Sequence, residues 1–344
     1  MRPRAEQPAA RVSVSLVTFN AVHWLDACLA SLHAQTHSPI EIIVIDNGSA
    51  DGTRERLELA AAANPGTRVV LSPTNLGYAK GHNRAIAEST GDYVCLLNQD
   101  MVLDPEFLAT ALAAFESANV GSVQGRLRWL SPDLERTKVI DSTGLQINRS
   151  RRVTSRGQGS PDGPRYDRPG FLFGVDGACP VYRRSALEDV KVDGTRGAEY
   201  LDEDFFMYKE DVDLAWRLLL RGWDAAYAPG ALAWHARGAG ESAAKTAWEV
   251  IQHRRRIPTW VKRLSWRNQR LMQVKNEDAS LVLRDLPRII GREIAAFAYL
   301  VASNPTNLGA VVELARMLPA AVRKRRQVQR LRRISRSELA AWFV

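Results

Sequence analysis

The sequence predicts an α/β protein with a mostly parallel sheet sandwiched by helices, followed by a basic helical C-terminal extension. Short apolar runs alternate with segments of helical spacing in the first part of the chain, which is typical of βαβ units. Residues 93–97 form a nearly unbroken apolar run, as expected of a strand buried on both faces of a parallel sheet. Farther on, helical apolar spacing recurs among many basic residues. We therefore expect two regions, residues 1–240 and residues 241–344.

The predicted strands and helices alternate along the first region. Strands are predicted at residues 12–17, 40–45, 68–71, 93–97 and 120–128, with helices at 22–35, up to about 63, after Asn75 and at 105–117. Residues 131–170 show little periodicity, so they predict a long loop that is functional or mobile. An ordered segment at 171–182, an acidic stretch at 200–214 that leads into an amphipathic helix, and a strand at 223–228 complete this region.

Composition and motifs exclude several classes of protein. The N-terminus lacks the apolar core of a signal peptide, and no apolar run approaches the roughly 20 residues that span a bilayer. Cys28, Cys95 and Cys179 lie far apart, which favours reduced, buried thiols and a cytoplasmic setting. Neither a GxGxxG run after the first strand nor a Walker loop is present. A dinucleotide-dependent dehydrogenase and a P-loop NTPase are therefore disfavoured.

The positive charge is concentrated in the last hundred residues. Residues 245–344 contain 21 Lys and Arg against 7 Asp and Glu, a net charge of +14, whereas the rest of the chain has a net charge of −5. This asymmetry predicts a catalytic body followed by a cationic docking element.

Polar or turn-forming residues follow each of the first four strands. They are Thr18, Asn20, Asp46, Asn47, Ser49, Asp51, Asn75, Gly77, Asn83, Asn98, Gln99 and Asp100. Because ligands of open α/β sheets bind beyond the carboxyl ends of the strands, we expect these residues at one ligand-binding edge. An acidic residue such as Asp46 can accept hydrogen bonds from a pyrimidine or a ribose. Asp100 is placed to hold a divalent cation that carries a diphosphate.

Some of these residues also have simpler explanations. An N-cap role explains Asp51, and Asn75 and Gly77 are common turn residues. For Asp46, the Asn-Gly-Ser-x-Asp run that follows favours nucleotide binding over capping.

The second half of the first region offers a candidate base. Glu210 and Asp211 adjoin Tyr208 and an amphipathic helix, so at least one carboxylate is expected at the sheet edge, where it can deprotonate an attacking hydroxyl. Gly177 permits close backbone approach. His235 follows the last strand, and either a metal ligand or a packed histidine explains it. Together these groups indicate a sugar-nucleotide transferase.

Six short motifs occur in a defined order along residues 11–240. They are Val17-Thr18-Phe19-Asn20, Asp46-Asn47-Gly48-Ser49-Ala50-Asp51-Gly52-Thr53, Asn75-Leu76-Gly77, Leu97-Asn98-Gln99-Asp100, Gly177-Ala178 and Glu210-Asp211-Val212-Asp213. In this order they resemble glycosyltransferase family 2, and more narrowly its bacterial rhamnosyltransferase-type branch, which builds cell-envelope polysaccharides.

The resemblance implies a GT-A fold and an inverting, single-displacement transfer from a nucleotide sugar such as dTDP-rhamnose. It implies that Asp46 holds the nucleobase, that Asp100 and His235 hold Mg²⁺ or Mn²⁺, and that Asp211, beside Glu210, is the general base. Gly177 and the other strand-end residues are the candidates for binding the nucleotide sugar. Asn98 replaces the first carboxylate of the family's Asp-x-Asp motif, so Asp100 must carry more of the metal binding.

The basic C-terminal region has three interpretations. Basic amphipathic helices with interfacial tryptophans such as Trp260 and Trp266 suit an anionic membrane surface. The second is nucleic-acid binding, for which no aromatic-basic recognition motif is present. The third is a solvated helical bundle or the interface of a homo-oligomer. We expect a peripheral protein on the inner face of the plasma membrane, no nucleic-acid partner, and a lipid-linked or growing glycan as acceptor.

Two alternative functions stay open. The same chemistry could transfer galactofuranose, glucose or GlcNAc instead of rhamnose. The chain could also be a catalytically inactive module that binds a glycan or a nucleotide; Asn98 favours this alternative, whereas Asp100 and Asp211 oppose it.

Overall fold

A ten-stranded mixed sheet forms the centre of the computed structural model, which describes residues 10–195, 197–237 and 257–344. The first elements are β1 (Val12–Thr18), α1 (Leu25–His33), β2 (Ile40–Asp46), α2 (Thr53–Ala63), β3 (Thr67–Leu71), α3 (Gly77–Ala87), β4 (Tyr93–Asn98), β5 (Met101–Leu103) and α4 (Phe107–Ala113). They follow the predicted alternation of strands and helices.

The next elements include the remaining strands of this sheet and two separate two-stranded sheets. They are β6 (Val120–Leu130), β7 (Arg136–Ser142), β8 (Leu145–Ile147), β9 (Val153–Ser155), β10 (Gly170–Leu172), β11 (Val181–Arg183), α5 (Arg184–Asp189), β12 (Val192–Gly194), β13 (Gly197–Glu199), α6 (Glu210–Leu220) and β14 (Asp224–His235). The C-terminal region contributes α7 (Thr259–Asn276), α8 (Ala279–Ser303), α9 (Gly309–Arg330) and α10 (Arg336–Ala341). Short 3₁₀ turns occur at Pro164–Tyr166, Glu203–Phe205 and Pro305–Leu308.

Parallel strands dominate the sheet. β1 lies between β2 and β4 and pairs with both in parallel, and β3 extends the sheet beyond β2. On the other side of β4, the antiparallel strand β11 connects it to β6, which pairs in parallel with β14. β5 pairs antiparallel with the end of β14. The predicted α/β fold with a mostly parallel sheet is confirmed.

Two predictions about the first region need correction. Residues 131–170 do not form one long loop, because they contain β7, β8 and β9; strands of three residues, such as β8 and β9, are too short to show an alternating pattern. The last strand, predicted at 223–228, does not end before Pro229 but continues to His235. A shift in its pairing with β6 between Ala228 and Leu232 lets the strand accommodate this proline.

The buried cysteine thiols were predicted correctly. Cys28, Cys95 and Cys179 are free and buried, and the Sγ atoms of Cys95 and Cys179 lie 3.9 Å apart. They pack among the apolar side chains of the core between the sheet and α1.

The C-terminal helices share a hydrophobic core with the first region. Phe173 and Trp216 pack in one cluster with Met272 on α7, Val328 on α9 and Phe343 near the end of the chain. The predicted boundary at residues 240 and 241 and the basic run at 254–256 lie outside the described residues, so the division into two regions stays a prediction.

Buried ion pairs also connect the two parts of the chain. Lys275 on α7 pairs with Asp202 and, at 2.8 Å, with Asp213, and all three side chains are almost fully buried. Lys324 on α9 pairs with Asp202 and, at 2.8 Å, with Asp204. Part of the acidic stretch that we predicted near the site is therefore neutralised by C-terminal lysines.

Replacing Lys275 by alanine is expected to lower the free energy of unfolding by about 3 kcal/mol. We expect a loss at the lower end of the range for breaking a buried ion pair, because other cations still face Asp202 and Asp213. Urea denaturation of Lys275→Ala measures the loss. Arg323→Ala, which removes an exposed charge from α9, is the control and should change stability by less than about 0.5 kcal/mol. Equal effects of the two variants would show that the buried pair contributes nothing.

Candidate active site

The carboxyl ends of β1, β2 and β4 lie side by side at one edge of the sheet. Thr18 is paired with Asp46 across β1 and β2, and Val17 is paired with Asn98 across β1 and β4. The Thr18 Oγ1 hydroxyl donates a hydrogen bond to Asp46 Oδ1 at 3.2 Å. The sheet therefore brings these residues together at the edge where ligands of α/β proteins bind.

The turn after β2 holds the Asp46 carboxylate in one orientation. Asp46 is fully buried, and its Oδ2 accepts hydrogen bonds from the backbone N–H groups of Gly48 and Ser49 at 3.1 and 3.0 Å. The Arg54 side chain donates to the same oxygen at 2.9 Å, and the Ser49 hydroxyl donates to Oδ1. Asp46 is thus a fixed acceptor at the base of this turn.

Asn20 and Asp51 connect this turn to the loop after β1. The Asn20 N–H donates to Ser49 Oγ at 2.9 Å, and the Asn20 side chain accepts from the Ala50 N–H at 3.0 Å. Asp51 is exposed and accepts hydrogen bonds from the backbone N–H groups of Val22 and Thr53, each at 3.1 Å. The N-cap of α2 is Gly52 and no side chain caps this helix, so the predicted N-cap role of Asp51 is wrong. Asp51 instead connects the loop after β1 to the first turn of α2, and its binding of a nucleotide stays a prediction.

The amides of Asn47, Asn75 and Asn83 are used within the protein. The Asn47 side chain donates to Gly77 O at 3.1 Å, and Asn75 Oδ1 accepts from the Gly77 N–H at 2.8 Å. Asn83, buried on α3, both donates to Leu201 O at 2.7 Å and accepts from the Leu201 N–H at 2.8 Å. These three side chains hold neighbouring loops together, and their contact with a ligand stays a prediction.

Asp100 and His235 lie against each other. The pairing of β5 with β14 places His235 opposite Met101, and His235 Nε2 lies 3.3 Å from Asp100 Oδ1. Gln99 points the other way, toward the loop after β1, where its Oε1 accepts from the Phe19 N–H at 2.7 Å. The structure therefore joins the two predicted metal ligands although they are far apart in sequence.

Asp141 on β7 holds the other nitrogen of His235. Its Oδ2 lies 2.8 Å from His235 Nδ1, and its Oδ1 accepts from Arg237 and, at 3.1 Å, from Trp129 Nε1. Burial disfavours a charged imidazole, but the carboxylates of Asp100 and Asp141 outweigh this effect and raise the pKa of His235 to about 10. His235 is therefore oriented by a buried carboxylate, as metal-binding histidines commonly are.

Gly177 connects the candidate base to the end of β4. Its N–H donates to Asp211 Oδ2 at 3.2 Å, and the carbonyl of the next residue, Ala178, accepts from the Asn98 N–H at 2.9 Å. The Tyr78 hydroxyl donates to the Gly177 carbonyl at 2.5 Å. A side chain at position 177 would place its Cβ only 3.0 Å from the Asp211 Cβ, so the glycine permits this approach.

Glu210 and Asp211 lie in a poorly solvated site at the start of α6. Burial and the neighbouring charge of Asp211 raise the pKa of Glu210 to about 8, and Glu210 Oε2 has no hydrogen-bond partner in the described residues. Burial and the nearby Asp176 raise the pKa of Asp211 as well. Raised carboxyl pKa values at a sheet edge are typical of catalytic acids and bases.

Asp141 and Asp176 lie in the site but were not predicted from the sequence. Asp176 immediately precedes Gly177, so its position beside a predicted site residue was a usable signal. Asp141 gave no such signal, because it lies in the stretch that we predicted to be a loop.

The residues present fit a divalent cation that is shared with a diphosphate. In the described parts of the chain, no three His, Cys, Asp or Glu side chains form a metal-binding group. However, Mg²⁺ sites commonly use only one or two protein ligands together with substrate phosphates. Asp100 offers one such ligand, and His235 Nε2 offers a second when the cation replaces the proton that the raised pKa holds on the imidazole. Asn98 Nδ2 lies 3.4 Å from His235 Nε2, so a side-chain amide lies at the same place.

Comparison with known proteins gives a family match and curated relatives. The family model of glycosyl transferase family 2 matches residues 13–191. The chain is 30% identical over 254 residues to the N-acetylglucosaminyl-diphospho-decaprenol L-rhamnosyltransferase of Mycobacterium tuberculosis, covering 64% of this chain and 75% of the relative. It is 27% identical to the poly-beta-1,6-N-acetyl-D-glucosamine synthase of Staphylococcus aureus, over 65% of this chain and 49% of that relative.

A solved structure with a similar fold is the mannosyltransferase of Pyrobaculum calidifontis in complex with GDP-Man and Mn²⁺. Its TM-score is 0.53 at 17% identity, over 98% of this chain and 89% of that one. This likeness concerns the fold, and it agrees with the GT-A architecture expected from the sequence.

The free energy of unfolding is expected to fall more steeply with rising pH in the wild type than in Glu210→Gln. Glu210 has a pKa of about 8 in the folded protein against an ordinary value of 4.5, so the folded state retains a proton that the unfolded state releases. Stability from this group is therefore lost as the pH rises from about 5 to about 8. Urea denaturation at both pH values measures the difference. Glu116→Gln, an exposed control, should follow the wild type, and parallel curves for all three proteins would contradict the prediction.

Proposed function

Because the chain belongs to glycosyl transferase family 2, we propose that it transfers a sugar from a nucleoside diphosphate donor to an acceptor hydroxyl, with inversion at the sugar carbon. One observation carries the proposal. Asp211 contacts Gly177, and the adjoining Ala178 is bonded to Asn98 at the end of β4, beside Asp100 and His235. The proposed general base and the proposed diphosphate-binding edge therefore lie next to each other.

In this proposal the loops after β1 and β2 bind the nucleoside. Asp46 is the proposed contact with the base or the ribose, and Gly48, Ser49 and Arg54 hold its carboxylate in one orientation. Thr18 and Asn20 complete this part of the site. A fixed acceptor favours one orientation of the donor, which lowers the entropy cost of reaching the transition state.

Asp100 and His235 would hold Mg²⁺ or Mn²⁺ at the diphosphate, with Asp141 fixing the imidazole through Nδ1. When bound, such a cation neutralises the charge that develops on the leaving diphosphate. The Asn98 amide would then accompany a single carboxylate where the family's motif has two.

Asp211 is the proposed general base, and Glu210 tunes it. Because the pKa of Glu210 is about 8, this neighbour is mostly protonated near neutral pH and adds little negative charge. Asp211, with a raised pKa of its own, is a stronger base than an ordinary aspartate. The acceptor hydroxyl loses its proton to Asp211 Oδ1 or Oδ2 as it attacks the sugar.

Rhamnose from dTDP-rhamnose is the proposed donor sugar, and a lipid-linked or growing cell-envelope glycan is the proposed acceptor. The support is the resemblance of the motifs and the mycobacterial relative, whose name includes both a lipid-linked sugar and rhamnose. Transfer of galactofuranose, glucose or GlcNAc is the alternative, and the staphylococcal relative supports GlcNAc. No helix in the described ranges is long and apolar enough to cross a membrane. We propose a peripheral position on the inner face of the plasma membrane.

A screen of nucleotide sugars tests the function. Purified protein is incubated with each donor, a soluble acceptor and Mg²⁺ or Mn²⁺, and transfer and donor hydrolysis are measured. We expect activity with one donor class that depends on the cation, and Asp100→Ala should raise the cation concentration needed. No transfer or hydrolysis with any donor, together with no donor binding, would overturn the proposal. Donor binding without turnover would favour the inactive binding module.

Asp211→Asn is expected to retain donor binding and to lose transfer by about 10²–10⁴-fold, the usual contribution of a general base. In the wild type, kcat/KM should fall as the pH drops through the raised pKa of Asp211, at a higher pH than for an ordinary aspartate. Calorimetric donor titrations and initial rates measure the two effects. Asp133→Asn, an exposed control, should keep the wild-type rate. A wild-type rate in Asp211→Asn would show that the base lies elsewhere.

A further inference from the structure

We infer that an exposed apolar ridge on α8 docks the protein on a membrane surface that carries anionic lipid headgroups. The ridge consists of Leu283, Leu286, Ile290, Ile294 and Phe297, which follow one another at three- and four-residue intervals and so share one face of the helix. Leu283 and Ile294 are 71% and 65% exposed. This inference deepens the proposed function, because a lipid-linked acceptor would be presented at such a surface.

The ridge is the outward face of α8. Leu281 and Leu300 are buried, and Glu293 pairs with Arg270 on α7, so these residues lie on the side of the helix that faces the protein. Phe297 lies at the border of the ridge, where it is 42% exposed and its ring centroid lies 6.2 Å from that of Trp266 on α7. From residue 290 to residue 302, every exposed residue is apolar. An amphipathic helix that lies in the plane of a membrane interface likewise presents an apolar face to the lipid.

The charges around the ridge match anionic headgroups. Of the charged side chains on α8, only Arg284 and Arg288 are exposed; Asp285 is buried, and Glu293 is partly buried and paired with Arg270. The exposed charged residues of α9 are Arg316, Arg323, Arg326 and Arg330, again all positive. An apolar face with exposed cations on its own helix, and no exposed carboxylate on α8 or α9, suits a lipid surface that offers both acyl chains and negative charge.

A second copy of the chain fits the ridge less well. In a two-fold interface the same patch meets itself, so the arginines of one copy would face those of the other. Like charges across an interface disfavour association. A lipid surface with negative headgroups has no such conflict.

Vesicle binding by the full chain tests the inference. We expect the wild type to co-sediment with vesicles of phosphatidylcholine and phosphatidylglycerol, to bind neutral phosphatidylcholine vesicles less, and to dissociate as salt is added. Ile294→Glu should lower the affinity at least about tenfold, because it places a carboxylate in the ridge. Leu59→Glu, which changes an equally exposed leucine on α2, should bind as the wild type does.

Equal binding of Ile294→Glu and the wild type, or no binding by the wild type, would overturn the inference. A wild-type dimer in sedimentation velocity that Ile294→Glu dissociates would assign the ridge to self-association instead. Donor hydrolysis is measured in parallel. If hydrolysis is intact while vesicle binding is absent, the docking inference fails and the proposed transferase stands.

A separate observation assigns Asn268 as a positioning residue for the candidate base. The turn before Glu210 and Asp211 contains three non-glycine residues with positive φ, Phe206 at 64°, Tyr208 at 70° and Lys209 at 75°. Such conformations are costly and persist only where surrounding contacts impose them. The turn sets the direction in which α6 begins, and therefore where Asp211 points.

Asn268 on α7 supplies those contacts. It is fully buried, and its Nδ2 donates to the carbonyl oxygens of Phe205, Met207 and Tyr208 at 2.9, 2.9 and 2.8 Å. On the other side of the turn, the Ala79 N–H donates to the Phe206 carbonyl at 3.2 Å. One side chain of the C-terminal region thus holds three carbonyls of the turn that precedes the base.

Asn268→Leu is expected to lower kcat at least about tenfold with little change in KM for the donor, because misplacement of a base slows the chemical step. The acid limb of its pH–rate profile should also shift, since Asp211 would be solvated differently. The matched control is Asn307→Leu, which removes another fully buried amide of the C-terminal region, bonded to the Leu300 carbonyl at 2.9 Å. The control is expected to lose stability but to keep kcat.

If Asn268→Leu does not fold, Asn268→Ser is measured instead. It should show the same loss of kcat. A kcat within about twofold of the wild type in a folded Asn268 variant, or an equal loss in Asn307→Leu, would overturn the positioning role. This inference rests on the proposed role of Asp211. Loss of transfer in Asp211→Asn but not in the Asn268 variants would overturn the positioning role alone.

Discussion

The parallel pairing of β1 with both β2 and β4 is the constraint on which the candidate site depends. It places Thr18 beside Asp46 and Val17 beside Asn98. A slip of one residue in either pair would turn these side chains to the opposite face of the sheet. The antiparallel strand β11 approaches from the other direction, so the segment that precedes it, at Gly177, meets β4 where β4 ends. The pairing of these strands therefore positions the candidate nucleotide-binding residues and the candidate general base together.

Within the acidic stretch, the structure separates two kinds of carboxylate. Asp202 and Asp213 are buried and face Lys275, so their charge is balanced by the C-terminal helices. Glu210 and Asp211 form no ion pair with any described residue, and the pKa values of both are raised. A carboxyl pair with no ion-pair partner is costly for stability where one member is buried, as Glu210 is. Its presence beside Gly177 is therefore better explained by chemistry than by folding.

The sequence predicted features that depend on local pattern. The ends of β1, β2 and β4 were placed to within one residue, because each apolar run is followed at once by polar residues. Asp141 was missed because its contact with His235 joins residues 94 apart through the pairing of β7, β6 and β14. The pairing of Lys275 with Asp202 was missed for the same reason, because the local sequence pattern does not predict which distant charge a lysine contacts.

The net charge of the C-terminal region overstates its attraction for an anionic surface. Lys275 and Lys324 are buried and paired with acidic residues of the first region, so they add nothing to the field outside the protein. Among the described residues, exposed arginines such as Arg284, Arg288 and Arg323 remain to attract lipid headgroups, and the apolar ridge must supply the rest of the binding energy. A count of basic residues would predict binding to any polyanion. An apolar ridge bordered by a few cations instead favours a surface that has both headgroups and acyl chains, because nucleic acid offers no apolar phase for Ile290 and Ile294 to enter.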